Sequence, residues 1–281
     1  MALFKRVTIV GLGLIGGSLG MAITRRRLAR EIVGLSRTSA TLRKAKQRGA
    51  IDAGTTDAAR AVRDADLVIL ATPVDTIVPQ GRRLARLMRP GSILTDVGST
   101  KRQIVRALTG ALPHGVAFVG AHPLAGSEQR GIEAARFDLF DGSVCMVTRT
   151  LKTNPQALAR VMRLWKALTS QVLVMEPAAH DRLVAAISHL PHLIAFCLME
   201  ATRPSALAIA PRSFLEATRV AKSDPELWDG ILLGNRTAVL AAVGRFDQHW
   251  RRVRHLLEEH DVRALQRFLR HAQALRQTLP E

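Results

Sequence analysis

Hydrophobic residues follow two different spacings along the chain, and the spacing changes near residue 176. Before that point, short apolar runs alternate with segments of helical periodicity. Near-continuous apolar runs are typical of strands buried on both faces, and they predict strands at 5–10, 31–35, 67–71, 92–96, 116–120, 143–148 and 171–175. Helices fit between most of these runs. We therefore predict an α/β Rossmann-type fold, a doubly wound parallel sheet with helices on both faces.

After Pro177 the pattern predicts helices and no further strand. Residues 178–201 read as one long helix, bent at Pro191, because apolar residues recur at helical spacing at Leu183, Ile187, Leu190 and Ile194. Other helices are expected over 214–222, 225–244 and 246–277. We predict two domains, 1–176 and 177–281, the second being all-helical. Its broad apolar faces need a second layer to cover them, which predicts a homodimer.

Composition narrows the class of protein. Of the 281 residues, 47% are hydrophobic, so the chain is globular. No apolar run approaches the ~20 residues of a membrane span, and we interpret the N-terminal apolar stretch as a first strand, not a signal peptide. Two distant cysteines in apolar segments, Cys145 and Cys197, are expected to be buried free thiols in a reducing cytoplasm. No metal-ligand spacing is present.

The formal net charge of +18 predicts a field that attracts anions. Nucleic acid and small polyanions are both candidates. The basic residues are scattered over helical segments, which favours solvated helix faces over one binding tail. Aromatic residues are few and tyrosine is absent, so stacking platforms for bases are poorly supplied. We expect neither a nucleic-acid nor a membrane partner.

A glycine-rich turn joins the first predicted strand to a helix. Its GxGxxG pattern consists of Gly11, Gly13 and Gly16. Such glycines allow a tight turn, a close approach of the backbone to a pyrophosphate, and close packing of helix on strand. The first helical residues, Leu14 and Ile15, lie where free N–H groups and a partial positive charge favour phosphate. We therefore expect a dinucleotide at this turn.

The residues after the second strand bear on cofactor choice. NAD-binding forms usually carry an acidic residue there, but this chain has Ser36 and Arg37. An arginine pairs with a 2′-phosphate that a carboxylate would repel, so NADP is favoured over NAD. An ordinary exposed arginine is the competing interpretation. Thr72, which follows the strand at 67–71, is also placed in the cofactor site.

Candidate chemistry follows two other predicted strand ends. His122 follows the strand at 116–120, and Ser99 and Lys101 follow the strand at 92–96. Ligands of such sheets bind at the carboxyl ends of the strands, so these side chains should face the nicotinamide. Asp96 could instead hold its own loop. For His122 alone, a hydrogen-bonded structural histidine is an equally good interpretation.

Five segments occur together in a known order: GLGLIGGS, TDVGSTK, GAHPLAGSEQRG, ISHLPH and ATRVAKSDPELW. With them the chain, from about residue 5 to 275, resembles the prephenate/arogenate dehydrogenase family of tyrosine biosynthesis. The resemblance implies a Rossmann domain joined to a helical dimerisation domain. It also implies oxidative decarboxylation of a cyclohexadienol: hydride passes to the nicotinamide, CO2 leaves, and the ring becomes aromatic.

The resemblance assigns roles to three residues of the first domain. His122 matches the catalytic histidine that accepts a hydrogen bond from the ring hydroxyl and helps remove its proton. A pKa near the working pH suits that step. Ser99 resembles the serine that orients the histidine and the hydroxyl. Glu128 matches a glutamate at the mouth of the site, and a surface carboxylate is the alternative.

The resemblance places the anchors of a dicarboxylate substrate in the helical domain. Arg219 matches the arginine that binds a substrate carboxylate, with a helix-surface arginine as the alternative. His192 is implied to contact the substrate side chain, and His189 is a second candidate, although one of the two could be only a packed histidine. The glycine-rich run usual before this arginine is replaced by PRSFLEAT. We expect no further regulatory domain.

Two other classes compete with this interpretation. A β-hydroxyacid dehydrogenase or imine reductase has the same two-domain plan, but the former generally uses a lysine on the interdomain helix. This chain has none between Lys166 and Lys222. A basic, non-enzymatic binding protein would not need the cofactor loop together with His122, Ser99 and Arg219. The sequence leaves prephenate and arogenate undecided.

Overall fold

The computed structural model describes residues 2–113, 115–127 and 129–279. An α/β domain comes first and a helical domain follows. The described part of the α/β domain contains eight strands in one sheet: β1 (Phe4–Val10), β2 (Ala29–Leu35), β3 (Ala53–Thr55), β4 (Leu67–Leu70), β5 (Ile93–Asp96), β6 (Ala117–Pro123), β7 (Val144–Thr148) and β8 (Gln171–Met175). The predicted α/β Rossmann-type fold followed by helices is confirmed.

The strand order is β3-β2-β1-β4-β5-β6-β7-β8. β2 and β3 are added on one side of β1 and β4 to β8 on the other, so the switch point of the topology lies between β1 and β4. β1 to β6 are parallel, and β7 is antiparallel to β6. The predicted parallel sheet thus holds for β1 to β6, and β7 and β8, parallel to each other, run in the opposite direction. A loop with one short 3₁₀ turn, Ile132–Ala134, joins β6 to β7 in place of a crossover helix, so the strand returns antiparallel.

Two strands differ from their predicted form. β6 runs to Pro123, beyond the predicted end at residue 120, because residues 121–123 pair with β7 after the pairing with β5 ends. His122 is therefore inside a strand and not beyond its end. β3 was not predicted, because its three residues, Ala-Gly-Thr, carry no apolar run.

Six helices cover the sheet: α1 (Leu14–Arg25), α2 (Ser39–Gln47), α3 (Ala58–Val62), α4 (Val74–Ala85), α5 (Arg102–Leu108) and α6 (Pro155–Lys166). Buried apolar residues form one cluster on each face of the sheet. Leu19 of α1 and Leu164 of α6 pack on one face, whereas Leu84 of α4 and Leu108 of α5 pack on the other. Both faces of the sheet are thus buried, as its apolar strands require.

The helical domain consists of α7 (Pro177–Val184), α8 (Leu190–Ala201), α9 (Pro204–Leu207), α10 (Arg212–Ala217), α11 (Pro225–Gly234), α12 (Arg236–Glu258) and α13 (Val262–Gln277). Between α7 and α8 the chain forms a π-helical segment, Ala185–His189. The long helix predicted over 178–201 is thus continuous but not uniform. Pro191 lies in the first turn of α8, where its missing N–H is tolerated.

Three other helix predictions are corrected by the structure. The segment predicted as a helix at 214–222 is α10 followed by a 3₁₀ turn, Arg219–Lys222. The predicted break near residue 245 is wrong, because α12 runs through it to Glu258. The helix predicted over 225–244 breaks instead at Asn235, whose buried side chain donates to the carbonyl oxygen of Asp181 over 2.7 Å. The helix predicted over 246–277 breaks at residues 259–261, between α12 and α13.

Much of the apolar surface of the helical domain is uncovered in the single chain. Ile187 is 57% exposed and Trp250 61% exposed, and the buried cluster between these helices is small. Cys145 is buried as predicted, but Cys197 on α8 is exposed, which corrects that prediction.

One helical stretch, Pro177–Ala201, has the length and the mean hydropathy of 1.6 that would allow a membrane crossing. Its first half carries three buried polar residues, His180, Asp181 and His189. His180 and Asp181 form hydrogen bonds to the α/β domain, described below. The stretch therefore forms part of the interface between the two domains.

Candidate active site

The turn between β1 and α1 has the shape of a cradle for phosphate. Gly11 has φ +88°, and a Cβ atom there would lie 2.5 Å from the carbonyl oxygen of Ala71. A Cβ atom at Gly16 would lie 1.9 Å from the carbonyl oxygen of Gly11. Both positions therefore require glycine. Gly13 faces open space, so the chain is free to contact a ligand closely at that point.

The start of α1 supplies hydrogen-bond donors to this cradle. Leu14 and Ile15 form the first turn, and no side chain caps the helix. Their N–H groups have no partner within the helix, so they suit the oxygens of an anion. The side chains of both residues pack against the core. Backbone, not side chains, would thus hold a cofactor at these two positions.

A cleft of about 850 Å³ extends from this cradle along the ends of β1, β2 and β4. Gly11, Gly13, Ser36, Arg37 and Thr72 all line it. The structure therefore brings five of the eight predicted cofactor residues together along this cleft, and the other three, Leu14, Ile15 and Gly16, lie in the first residues of α1. The size of the cleft and the glycine cradle fit a nicotinamide dinucleotide.

The lining of the cleft carries more positive than negative charge. Arg37, Lys44 and Arg83 all line it, and Lys44 forms an ion pair with Glu133. Within the described lining, Glu133 is the one carboxylate. A cleft with this balance of charge suits the phosphates of a nucleotide.

His122 lies in the part of β6 that pairs with β7, opposite Met146. The ring is buried, and its Nδ1 lies 2.9 Å from Nε2 of His180 in the helical domain. Burial lowers the pKa of His122 well below its usual value, and the nearby His180, Lys101 and His189 lower it further. His122 is therefore neutral at pH 7, with a pKa below the near-neutral value that the sequence suggested.

His180 is in turn bound to a carboxylate. Its Nδ1 lies 2.8 Å from Oδ1 of Asp181. Both residues come from α7, and neither was predicted as a site residue. Their segment, PAAHDRL, contains no motif, and their proximity to His122 arises only when the two domains pack.

The loop after β5 is held by a buried ion pair. Asp96 and Lys101 are both fully buried and bind each other, and Asp96 also accepts from the N–H of Gly98 over 2.9 Å. Asp96 thus holds its own loop, and Lys101 is not a cation for substrate. Ser99, between them, is partly exposed and has no side-chain hydrogen bond within the described structure.

The helical domain contributes an aromatic wall. The His192 ring stacks on Trp228 with centroids 3.7 Å apart, and its Nδ1 lies 2.9 Å from the carbonyl oxygen of Ser188. Trp228 was not predicted, since a single tryptophan in an amphipathic helix resembles a core residue. The pKa of His192 is lowered, mainly by burial, and the positive charge of the nearby Arg219 lowers it further.

His189 differs from His192 in its surroundings. It is buried, its Nδ1 lies 3.2 Å from the amide nitrogen of Asn235, and burial lowers its pKa to about 4. Its ring also meets the edge of Trp228. These contacts favour a packing role for His189 over the substrate contact that the resemblance suggested.

The loop after β6 reaches across to the helical domain. Arg130 in this loop forms an ion pair with Asp224, the residue that caps α11. Glu128, the predicted glutamate at the mouth of the site, lies outside the described residues. Within the described ranges, no group of three or more His, Cys, Asp and Glu side chains is placed to hold a metal ion.

Three features occur at the carboxyl ends of the strands: a glycine cradle, a cleft of dinucleotide size and a neutral histidine. Together with the helical second domain, they are typical of a nicotinamide-dependent dehydrogenase. Family models described as the nucleotide-binding and dimerization domains of prephenate dehydrogenase match residues 19–174 and 176–271. The chain belongs to the prephenate dehydrogenase family and is an oxidoreductase of that kind.

Individual relatives agree with this assignment. Prephenate dehydrogenase of Bacillus subtilis is 34% identical over 98% of this chain and 76% of that protein. The structure of prephenate dehydrogenase from A. aeolicus with hydroxyphenyl propionate and NAD+ has a TM-score of 0.90, 31% identity and 98% coverage of both chains. The structure of Synechocystis arogenate dehydrogenase has a TM-score of 0.83 and 30% identity, covering 98% of this chain and 99% of that one.

The competing β-hydroxyacid dehydrogenase class is similar in fold alone. Mycobacterium tuberculosis 3-hydroxyisobutyrate dehydrogenase is 16% identical, with a TM-score of 0.55, over 83% of this chain and 70% of that chain. The interdomain helix α7 carries His180 and Asp181 and no lysine. The resemblance to that class therefore stops at the two-domain plan.

Proposed function

We propose that this protein catalyses the NADP- or NAD-dependent oxidative decarboxylation of prephenate, arogenate or both, as a cytoplasmic enzyme of tyrosine biosynthesis. The observation that carries the proposal is the position of His122. It lies in the last residues of β6, on the side of the sheet where the carboxyl ends of β1, β2 and β4 line the cofactor cleft. It is neutral, and His180 of the helical domain meets it directly. The proposed domains are 1–176 and 177–281.

Three groups would divide the chemistry. A nicotinamide bound in the cleft supplies the acceptor for a hydride from the ring carbon that bears the hydroxyl. Nε2 of His122 accepts the hydroxyl proton as that C–O bond becomes a carbonyl. The electrons of the bond to the ring carboxylate then enter the ring, CO2 leaves, and proton return to the oxygen gives the aromatic phenol. Ser99 would hydrogen-bond the reacting hydroxyl from the loop after β5.

The helical domain would bind the substrate. A dicarboxylate offers little apolar area, so charge must supply much of its binding. Arg219 would bind the side-chain carboxylate, and His192, held against Trp228, would contact the neighbouring keto or amino group. Glu128 stays a prediction for the mouth of the site.

A single set of assays tests the function. Steady-state rates with prephenate and arogenate, each with NADP and NAD, should show turnover of at least one substrate. A 3-hydroxy acid such as 3-hydroxyisobutyrate should give no reaction. Turnover of the hydroxy acid alone would contradict the proposal and favour the competing class.

We infer a preference for NADP from Arg37, which lines the cleft just after β2, where the sequence has no acidic residue. Loss of a charge-assisted contact costs about 1.5–3 kcal/mol, so Arg37→Ala should reduce the ratio of kcat/KM for NADP to that for NAD roughly tenfold or more. Lys46→Ala, on the same helix as Lys44 but outside the cleft lining, is the matched control. A wild-type preference for NAD, or an unchanged ratio in Arg37→Ala, would overturn the assignment.

We further propose that the helical domain forms a homodimer through its uncovered apolar faces. Light scattering should give twice the 30.7 kDa chain mass at micromolar concentration. Leu240 on α12 is 57% exposed, and Leu240→Glu would bury a charge at such an interface, so it should shift the protein toward monomer. Gln248→Glu, exposed on the same helix, should leave the mass unchanged. A monodisperse wild-type monomer is the result that rules the dimer out.

A further inference from the structure

A hydrogen-bonded chain crosses the junction of the two domains. It runs from His122 on β6 through His180 to Asp181 on α7, over 2.9 Å and then 2.8 Å. Asp181 is also bound from the α/β domain. Its Oδ1 accepts from the N–H of Lys101 over 2.7 Å and its Oδ2 from the N–H of Arg102 over 3.0 Å. All three side chains are buried, so water does not compete for these contacts.

The partners of Asp181 show which form its carboxyl takes. Burial alone would raise its pKa, but the hydrogen bonds from His180 and from the N–H groups of Arg102 and Lys101 together hold the pKa below its usual value. Asp181 is therefore an ionised carboxylate at neutral pH. A carboxylate only accepts hydrogen bonds.

The ionised state of Asp181 determines which ring nitrogen carries the proton in His180 and in His122. Since Asp181 only accepts, Nδ1 of His180 must carry a proton. Burial lowers the pKa of His180, although Asp181 opposes the effect, so the ring is neutral and its Nε2 has a free lone pair. Nδ1 of His122 must then donate to that lone pair. His122 is also neutral, which leaves its Nε2 without a proton.

We propose that Asp181 is a positioning residue that acts through His180 to fix His122 in the tautomer whose Nε2 accepts a proton from substrate. The proposal rests on the function proposed above, since it gives His122 the part of base. Asp181 and His180 contribute from one domain and His122 from the other. The base is thus complete only when the helical domain is docked on the sheet.

Asparagine at position 181 cannot satisfy the same contacts. If its oxygen faces His180 and Lys101, its NH2 group faces the N–H of Arg102, donor against donor. If the amide is flipped, its NH2 group faces the N–H of Lys101, again donor against donor, and it donates to Nδ1 of His180. The proton of that ring then moves to Nε2. His180 then donates to Nδ1 of His122, and His122 carries its proton on Nε2, where it cannot accept one from substrate.

The test reads the tautomer directly and the rate separately. Nitrogen-15 NMR of the histidine rings, in the protein with NADP bound, distinguishes a protonated from an unprotonated ring nitrogen. The signals of His122 are those lost in His122→Asn. Wild type should show a protonated Nδ1 and an unprotonated Nε2 at His122. Asp181→Asn should move the proton toward Nε2 and lower kcat about 10²-fold, with the KM for cofactor unchanged.

A matched pair of substitutions at His180 decides the matter if Asp181→Asn does not fold. Glutamine places an oxygen acceptor near the position of Nε2, whereas methionine has similar size but no such acceptor. His180→Gln should keep the wild-type tautomer of His122 and at least about tenfold more kcat than His180→Met. Equal kcat and equal spectra in the two variants would overturn the proposal.

The outcomes separate this proposal from the proposed function. A protonated Nε2 on His122 in wild type overturns the positioning role even if the enzyme turns over prephenate. The expected tautomer in wild type, shifted in Asp181→Asn, supports the role even if neither prephenate nor arogenate reacts. In that second case the proposed function fails and the tautomer assignment stands.

Discussion

Replacing His122 with asparagine or alanine is expected to lower kcat by about 10²–10⁴, the range usual for loss of a general base. The ring hydroxyl cannot become a carbonyl unless its proton leaves, and the neutral His122 ring at the carboxyl end of β6 is the proposed acceptor of that proton. The cofactor cleft lies at β1, β2 and β4, so the affinity for NADP should not change. Stopped-flow or steady-state assays and a cofactor titration measure the two effects.

The pH dependence of the wild-type enzyme supplies a second measurement at His122. A protonated ring has no lone pair, so kcat/KM should be constant at neutral pH and fall as the pH drops through the pKa of His122. Burial and the neighbouring His180, Lys101 and His189 place that pKa below 6.5. His271→Asn, an exposed histidine on α13, is the control that should change nothing. Near-normal turnover of His122→Ala would show that His122 is structural.

Arg219→Ala is expected to lower kcat/KM by about 2–4 kcal/mol, roughly 30- to 1000-fold, because a desolvated carboxylate would lose its partner. The effect should appear mainly as a raised KM for substrate, with cofactor affinity almost unchanged. Arg219→Lys keeps the charge but loses the two-pronged contact of a guanidinium group. Its kcat/KM should therefore lie between those of Arg219→Ala and the wild-type enzyme. Steady-state kinetics with the preferred substrate measure all three.

Arg212 and Lys222 serve as the comparison for Arg219. Arg212 is exposed on α10 and forms an ion pair with Glu216 over 2.8 Å, a contact worth little at the surface. Arg212→Ala and Lys222→Ala should keep most of the activity. If Arg219→Ala instead keeps its substrate KM and only lowers the melting temperature, Arg219 is a structural residue. A raised KM in Arg212→Ala or Lys222→Ala would then identify the anchor.

The sheet was predictable because its strands are buried on both faces and therefore read as apolar runs. β3 was not, since three residues at the edge of a sheet need no apolar run. The direction of β7 depends on how the loop after β6 packs, which local pattern does not encode. At Asn235 the pair Gly234–Asn235 is a local signal for a helix end. The hydrogen bonds from Asn235 to Asp181 and His189, however, depend on tertiary packing.

The cofactor loop was predictable in detail, because the need for glycine at Gly11 and Gly16 is local geometry. His122 was identifiable from the sequence as a candidate, and its role as the catalytic histidine, implied by the resemblance, stays a prediction. His180, Asp181 and Trp228 were not, since their meaning comes from contacts between the two domains. Cys197 was expected to be buried but is exposed, for a related reason. An apolar segment indicates a surface that must be covered, but it does not identify the element that covers it.

In the proposed reaction this enzyme couples hydride transfer to loss of CO2. Both products of one reaction can be followed together, reduced cofactor by its absorbance and CO2 from substrate labelled in the ring carboxylate. One CO2 is expected for each reduced cofactor with prephenate or arogenate, and both products should be lost in His122→Asn. Reduced cofactor formed without CO2, or no reaction with either substrate, would contradict the proposed reaction.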